Sequence, residues 1–330
     1  MAANVVGANA ATLSDWARRI DPGGKIDKIV ELLKETNSIL EDMIFVEGNL
    51  PTGHKTTVRS GRPAGPEMQV TTDTCGMLEA YAEVDKSLAD LNGNTVDFRL
   101  SEDLAYIEAM NNACAETLFY GDTGKDPEKF LGLAPRYNSL TATVHNSENV
   151  IDALGGTAAN NTSIWLITWG PNTCHGIFPK GQTAGLQHTD LGEVTIQDSQ
   201  TPAGNFQGYR SHYKWDIGLC LRDWRYVVRI ANIDTTALKK DAASGADVIE
   251  LMVKAIHKLP SMGMMGNMVF YCNSTIHTYL DLQTLYRKNN ALTYGPDVHG
   301  REVLKFRGIP VKRCDAIAIG GTDKELHVEA

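Results

Sequence analysis

The sequence has no excess of positive charge and no long apolar run, and each shortage excludes a class of protein. It carries 31 Lys and Arg residues against 40 Asp and Glu residues, a net charge of −9. Because proteins that read nucleic acids through their phosphates need a basic face, we do not expect a specific DNA- or RNA-binding protein. No apolar stretch approaches the ~20 residues of a membrane-spanning helix, and the first residues lack the pattern of a signal peptide. The sequence therefore predicts no membrane contact.

Cysteine is scarce and scattered. The chain has six cysteines, at positions 75, 114, 174, 220, 272 and 314. None belongs to a CxxC pair or to the Cys/His spacing that is typical of zinc sites and redox motifs. The spacing therefore predicts neither a zinc site nor a thioredoxin-like motif, and free cysteines of this kind suit a reducing compartment.

Motifs for catalysis or for a cofactor are also lacking. GDTGK, residues 121–125, has too few residues between its glycines for a phosphate-binding loop, and Asp126 follows its lysine. No GxGxxG follows a predicted strand and no GxSxG nucleophile elbow occurs. His175, His188 and His212 lie in predicted strands and could converge, but each is more typical of a surface or hydrogen-bonded histidine. We predict no catalytic residue, no cofactor and no metal ligand.

Alternation of apolar residues is the first positive feature of the sequence. Apolar residues occur at every second position of residues 215–230, with one interruption at 222–223. Side chains on a strand point alternately to opposite faces, so this pattern predicts two half-buried strands. Trp224 is then predicted on the buried face, and Arg225 and Arg229 are predicted on the face that contacts water.

The first third of the chain contains an arm, a hairpin and helical stripes. Residues 1–47 form a predicted arm with two short helices, because their apolar stripes can bury little surface. Residues 48–76, rich in Gly, Pro and Thr, predict a hairpin loop. An apolar stripe predicts a helix over 78–91, and Ser101 is expected to cap a second, long helix that ends at Gly121.

The last third combines helices with strands. Ser244 and Asp247 resemble a capping box at the start of a helix that Pro260 ends. Asn273 is expected to cap a helix that runs to about Arg287. Residues 268–271 and 303–319 have the apolar character of strands, and the fold class expected for the chain is α+β.

Three segments resemble the major capsid proteins of tailed bacteriophages, which share the Hong Kong 97-type shell fold. AETLFYGDTGKDPEKFLGL, residues 115–133, is similar to the end of that family's spine helix and the Gly-Leu pair after it. Residues 268–319 are similar to the strand, helix and strand-Gly-Ile-Pro-Val turn of the axial domain, and residues 164–233 to the peripheral-domain strands. The axial segments follow the peripheral strands here, so the resemblance implies a topologically permuted fold of the kind found in short-tailed phages.

The resemblance implies a domain map for the whole chain. The expected segments are an N-terminal arm at 1–47, an extended loop at 48–76, the spine helix and start of the peripheral domain at 77–155, the peripheral strands and long β arm at 156–233, and the axial domain at 234–330.

The resemblance also implies a function. The expected protein self-assembles as pentamers and hexamers into the icosahedral shell that encloses a phage double-stranded DNA genome, in the host cytoplasm, and is then part of the virion. Its expected partners are copies of itself, a separate scaffolding protein, a portal and a decoration protein, with only non-specific DNA contact. Two alternatives stay open, which are the shell of an encapsulin-like compartment and a cytosolic α/β enzyme.

Overall fold

The computed structural model describes eleven segments of the chain. They are residues 37–60, 67–90, 95–140, 145–155, 160–197, 204–236, 238, 247–260, 266–286, 292–296 and 302–320. These residues divide into two compact units. Unit 1 contains the described residues of 77–111 and 185–215, and unit 2 contains the described residues of 35–76, 112–184 and 216–330. Of the arm predicted over residues 1–47, residues 1–36 lie outside the described residues.

Helices and strands both contribute to the fold, which confirms the α+β class. The helices are α1 (Ile39–Asp42), α2 (Lys86–Ala89), α3 (Thr95–Tyr120), α4 (Val248–Lys258) and α5 (Ser274–Tyr286). The strands are β1 (Phe45–Glu47), β2 (Gly53–Ser60), β3 (Glu67–Asp85), β4 (Val150–Asp152), β5 (Asn161–Trp169), β6 (Cys174–Phe178), β7 (Gln187–Gln197), β8 (Asn205–Leu221), β9 (Val227–Asp234), β10 (Asn267–Cys272), β11 (Leu292–Pro296), β12 (Glu302–Phe306) and β13 (Ile309–Arg313).

Unit 2 is built around β5, whose nine residues are all buried. Strand β5 pairs antiparallel with β10 and with β9, and β10 continues the sheet through a parallel pair with β13. Helices α4 and α5 cover this sheet with aliphatic residues such as Met252 and Leu280, which join one apolar cluster with Phe270 and Phe306. A strand that is buried on both faces needs a continuous apolar run, and residues 164–167 supply it.

The prediction of a helix over 78–91 is wrong, because β3 continues to Asp85. Side chains at 78, 80, 82 and 84 are the more buried ones, and those at 79, 81 and 83 are more exposed. This period of two fits a strand that packs one face on a core, and it outweighs the weaker helical stripe. Among the described residues of 78–91, only α2 is helical, and the Asp85 side chain caps it by accepting a hydrogen bond from the Ser87 backbone N–H.

The long helix α3 begins six residues before the predicted cap. Ser101 lies inside the helix, where its hydroxyl donates a hydrogen bond to the Phe98 carbonyl at 2.8 Å. The 26 residues of α3 span about 39 Å. The helix ends at Gly121 as predicted, and a Cβ at this position would lie 2.3 Å from the Phe130 carbonyl oxygen. GDTGK is therefore the tight turn after the helix.

Two predictions for residues 215–230 need correction. Trp224 lies in a 3-10 turn, Trp224–Tyr226, and is only half-buried. Arg229 was expected in water but is fully buried in β9. Its Nε donates to Ser163 Oγ at 3.1 Å, an Nη donates to the Tyr137 carbonyl at 2.9 Å, and its guanidinium lies over the Trp165 ring. Burial of an arginine is tolerated when such partners satisfy its donors.

One of the two predicted helix caps of the last third is confirmed, and the other needs correction. Asn273 accepts a hydrogen bond from the Ile276 N–H at 3.0 Å and begins α5. Asp247, rather than Ser244, is the cap of α4, since its carboxylate accepts from the Glu250 N–H. Ser244 lies outside the described residues.

Candidate assembly surfaces

A ribbon formed by the long paired strands β7 and β8 is the first exposed feature of unit 1, and β8 pairs with β3 on its other side. Strand β7 pairs antiparallel with β8 from Gln187↔Lys214 to Gln197↔Asn205. Nearly all β7 side chains are exposed or half-buried, and Ile196 is the buried exception. A strand that buries so little of its own surface depends on its neighbours for its position.

Ion pairs fix the ribbon within unit 1. The Arg99 guanidinium binds the Asp190 carboxylate through two hydrogen bonds of 2.7 and 3.2 Å, and it also lies over the Tyr209 ring. The hydrogen bond from Arg99, with help from the Gly192 N–H, lowers the pKa of Asp190. Bidentate Arg–carboxylate pairs restrict geometry as well as distance, so this pair sets the position of β7 against α3.

One face of α3 in unit 1 is apolar and exposed. Val96, Leu100 and Leu104 follow each other at intervals of four residues, and their exposed fractions are 77%, 55% and 45%. Residues at this spacing lie on the same side of a helix. The other side of the helix packs inward, where Phe98 and Met110 are buried. We call these three exposed side chains the α3 apolar row.

A hairpin is the corresponding feature of unit 2, and a hairpin is present within the predicted range 48–76, although its second strand continues to Asp85. Strands β2 and β3 pair antiparallel from Gly53↔Thr74 to Ser60↔Glu67. At the base of the hairpin, the buried Asp73 carboxylate binds an Arg136 Nη at 2.7 Å. The same guanidinium donates to the Leu131 carbonyl at 3.1 Å, so the hairpin base is tied to the segment after α3.

The three histidines that could have converged each have their own neighbours. In unit 1, His188 stacks on Tyr213 with ring centroids 4.8 Å apart, and His212 stacks on Tyr81 at 4.7 Å. His175 belongs to unit 2. Among the described residues, no helix is long and apolar enough to cross a membrane.

His175 has neighbours that sequence reasoning missed. It lies beside His54 and Cys220, and one ligand atom from each of the three side chains falls within 4.8 Å of the others. The residues come from β6, β2 and β8, and only the strand register brings them together. No spacing along the chain signals such a cluster.

Comparison with known proteins identifies the family. Residues 21–323 match the family model described as Major capsid protein GP7. The chain belongs to this major capsid protein family. A solved structure of bacteriophage Epsilon15 is 34% identical, with a TM-score of 0.74 over 98% of this chain and 99% of that one. No curated protein matches the sequence.

More distant likenesses exist among other shells. The capsid of bacteriophage JBD30 is 9% identical, with a TM-score of 0.44 over 87% of this chain and 93% of that one. The SrpI encapsulin of Synechococcus elongatus is 10% identical, with a TM-score of 0.46 over 68% of this chain and 97% of that one.

The predicted family and function are therefore confirmed. The protein is a shell-forming major capsid protein of a tailed bacteriophage, with the Hong Kong 97-type fold, and it is located in the virion.

Proposed function

We propose that this major capsid protein assembles as pentamers and hexamers of an icosahedral shell around double-stranded DNA, and that the α3 apolar row is a contact between subunits. The observation that carries the proposal is the exposure of Val96, Leu100 and Leu104 on one helix face. A contiguous exposed apolar surface is typical of an interaction site.

Ring closure explains why such a row needs a different partner surface. Subunits of a pentamer or hexamer meet head to tail, so each copy offers one surface and receives another. The row is then covered by a surface of the next subunit. The β7–β8 ribbon and the β2–β3 hairpin add further contacts, and several weak contacts acting together hold a shell more strongly than any one of them.

The domain map expected from sequence remains part of this proposal. The N-terminal arm at 1–47 and the extended loop at 48–76 would overlap neighbouring subunits, and the segment 77–155 would supply the spine. The peripheral strands and β arm at 156–233 would meet other copies, and the axial domain at 234–330 would lie at the capsomer centre.

Partners beyond the shell itself follow from the family. We propose that a separate scaffolding protein guides assembly, that a portal occupies one vertex, and that a decoration protein binds the outside. The net charge of −9 favours only weak, non-specific contact with packaged DNA, because a basic lining would bind its phosphates. We further propose that the chain works without catalysis.

A single substitution in the row tests the assembly surface. Leu100→Glu should leave the subunit folded, because the side chain is 55% exposed, but should prevent closed shells by placing a charge in an apolar contact. Leu100→Met is the matched control, since it keeps an apolar side chain of similar volume and should assemble. Negative-stain microscopy counts shells, and circular dichroism monitors the fold.

The outcomes separate the surface from the fold. Normal shells from Leu100→Glu would show that the α3 apolar row is not a subunit contact. A loss of the cooperative melt would show instead that the row belongs to the core of the subunit.

A further inference from the structure

Three side chains with metal-binding atoms meet in unit 2, at the base of the β2–β3 hairpin. His54 lies on β2, His175 on β6 and Cys220 on β8, and their ligand atoms are all within 4.8 Å of one another. His175 and Cys220 are directly opposite each other in the antiparallel pair of β6 and β8. His175 and Cys220 are buried, while His54 is half-buried.

His175 lacks the partners that a buried histidine normally has. Its side chain is buried at 1% exposure, and neither ring nitrogen makes a hydrogen bond of acceptable geometry. The Gly170 backbone raises the pKa of His175, but burial lowers it by more. A buried polar group without a partner is costly, so each such group in a fold calls for an explanation.

We propose that His54, His175 and Cys220 bind Zn²⁺. Two imidazoles and one thiolate are ligands that this borderline-soft ion prefers, and three protein ligands leave a fourth position for water.

Charged side chains of both signs surround the proposed site. The buried Asp73 carboxylate lies near Cys220, and Arg136 pairs with this carboxylate. The Arg222 charge acts on both histidines, but its guanidinium is exposed and donates to the Pro171 carbonyl at 3.0 Å. Zinc binding therefore requires a thiolate at Cys220, whose negative charge compensates the ion.

Protonation states set how the site would respond to pH. Burial lowers the pKa of His175 to about 4 and also lowers the pKa of His54, so both imidazoles are neutral near pH 7. Burial raises the pKa of Cys220 to about 12, with Asp73 adding to the shift. Zinc then releases mainly the thiol proton, and its affinity should rise with pH.

Zinc binding also removes one hydrogen bond of the metal-free protein. The Asn49 backbone N–H donates to His54 Nδ1 at 3.2 Å. Zinc at Nδ1 uses that lone pair, and zinc at Nε2 moves the ring proton to Nδ1, so this bond is lost either way. In return, one ion connects β2, β6 and β8 and stabilises the folded subunit by mass action.

Cobalt replaces zinc as a visible probe in the test. Full-length protein would be purified in chelator and titrated with Co²⁺ and then Zn²⁺. We expect one Co²⁺ per chain, with the intense visible bands of tetrahedral coordination and a thiolate charge-transfer band, both removed by Zn²⁺. Cys220→Ser should lose the charge-transfer band and bind Zn²⁺ at least tenfold more weakly. Cys174→Ser is the matched control, because Cys174 is equally buried on β6 but is outside the cluster.

His54→Gln protects the test against misfolding, since His54 is only half-buried. It should also weaken Zn²⁺ at least tenfold while the fold persists. The proposal is overturned if the wild type shows no thiolate band. It is equally overturned if Cys220→Ser and His54→Gln bind as much Zn²⁺ as the wild type, which would indicate ions on the surface only.

Discussion

Replacing Tyr271 with phenylalanine should destabilise the subunit strongly although it removes a single oxygen atom. The hydroxyl accepts a hydrogen bond from Trp169 Nε1 at 2.8 Å and donates one to Asp42 Oδ2 at 2.7 Å. Tyr271 and Trp169 are fully buried, so water cannot replace the lost oxygen at the indole. The carboxylate retains Lys312, whose Nζ lies 2.7 Å from Asp42 Oδ1.

The size of the effect follows from these two bonds. A buried donor left without a partner costs about 1–3 kcal/mol, and a hydrogen bond to a charged group contributes about 1.5–3 kcal/mol. Because Asp42 keeps its lysine, the free energy of unfolding should fall by about 2–4 kcal/mol in Tyr271→Phe.

Two other tyrosines provide a graded control. The buried Tyr137 hydroxyl makes one bond, to the Trp224 carbonyl at 2.7 Å, so Tyr137→Phe should cost about 1–2 kcal/mol. Tyr294 is 53% exposed and donates to Asp281, so Tyr294→Phe should change stability by less than about 0.5 kcal/mol. Urea unfolding of unassembled subunits at one protein concentration measures all three. If Tyr271→Phe loses no more than Tyr294→Phe, the buried network does not stabilise the fold.

Three further predictions use the same assay. Trp224→Ala should lower the free energy of unfolding by about 1–2 kcal/mol, because Trp224 is only half-buried. Removal of a fully buried aromatic side chain costs ~3–5 kcal/mol, so a loss of that size would place Trp224 in the core. Gly53→Ala should cost about 1–3 kcal/mol, since its Cβ would lie 2.1 Å from the Asp73 carbonyl oxygen, whereas Gly124→Ala in an exposed turn should be nearly neutral. The folded pKa of His175 is about 4 against 6.5 in the unfolded chain, so the unfolded state takes up the proton first as pH falls. Stability in chelator should therefore drop by about 3 kcal/mol between these two pH values, and His175→Asn should flatten that slope.

Sequence patterns predicted the elements whose signals are local. The cap at Asn273 and the end of α3 at Gly121 both depend on neighbours within a few positions of the chain. These two signals act locally, because a cap or a tight turn satisfies its own backbone groups, although the same kind of signal at Ser101 did not mark a helix start.

The errors arose where tertiary contacts decide. The stripe in 78–91 fits a helix by period, but pairing with other strands of the sheet extends β3 to Asp85. Arg229 was assigned to water by alternation, yet Ser163 and the Tyr137 carbonyl lie 66 and 92 positions away and satisfy its donors. Partners at such separations leave no trace in a local window.

The candidate functional features show the same division. The α3 apolar row was present in the sequence, but whether a helix face is covered is a property of the folded unit. The zinc cluster depends on strand register, since His175 faces Cys220 only through the pairing of β6 with β8. Patterns in the chain therefore indicated the kind of protein more easily than its individual sites.

The state of the thiols has a consequence for the life of the particle. All six cysteines are free, and five of them are buried. Burial raises the pKa of Cys114 and Cys314 to about 12, and that of the half-buried Cys75 to about 11. Oxidants attack the thiolate rather than the thiol, so these cysteines should oxidise slowly in a virion released into air-saturated water. The stability of each subunit outside the host then depends on the burial of its thiols rather than on disulfide bonds within the chain.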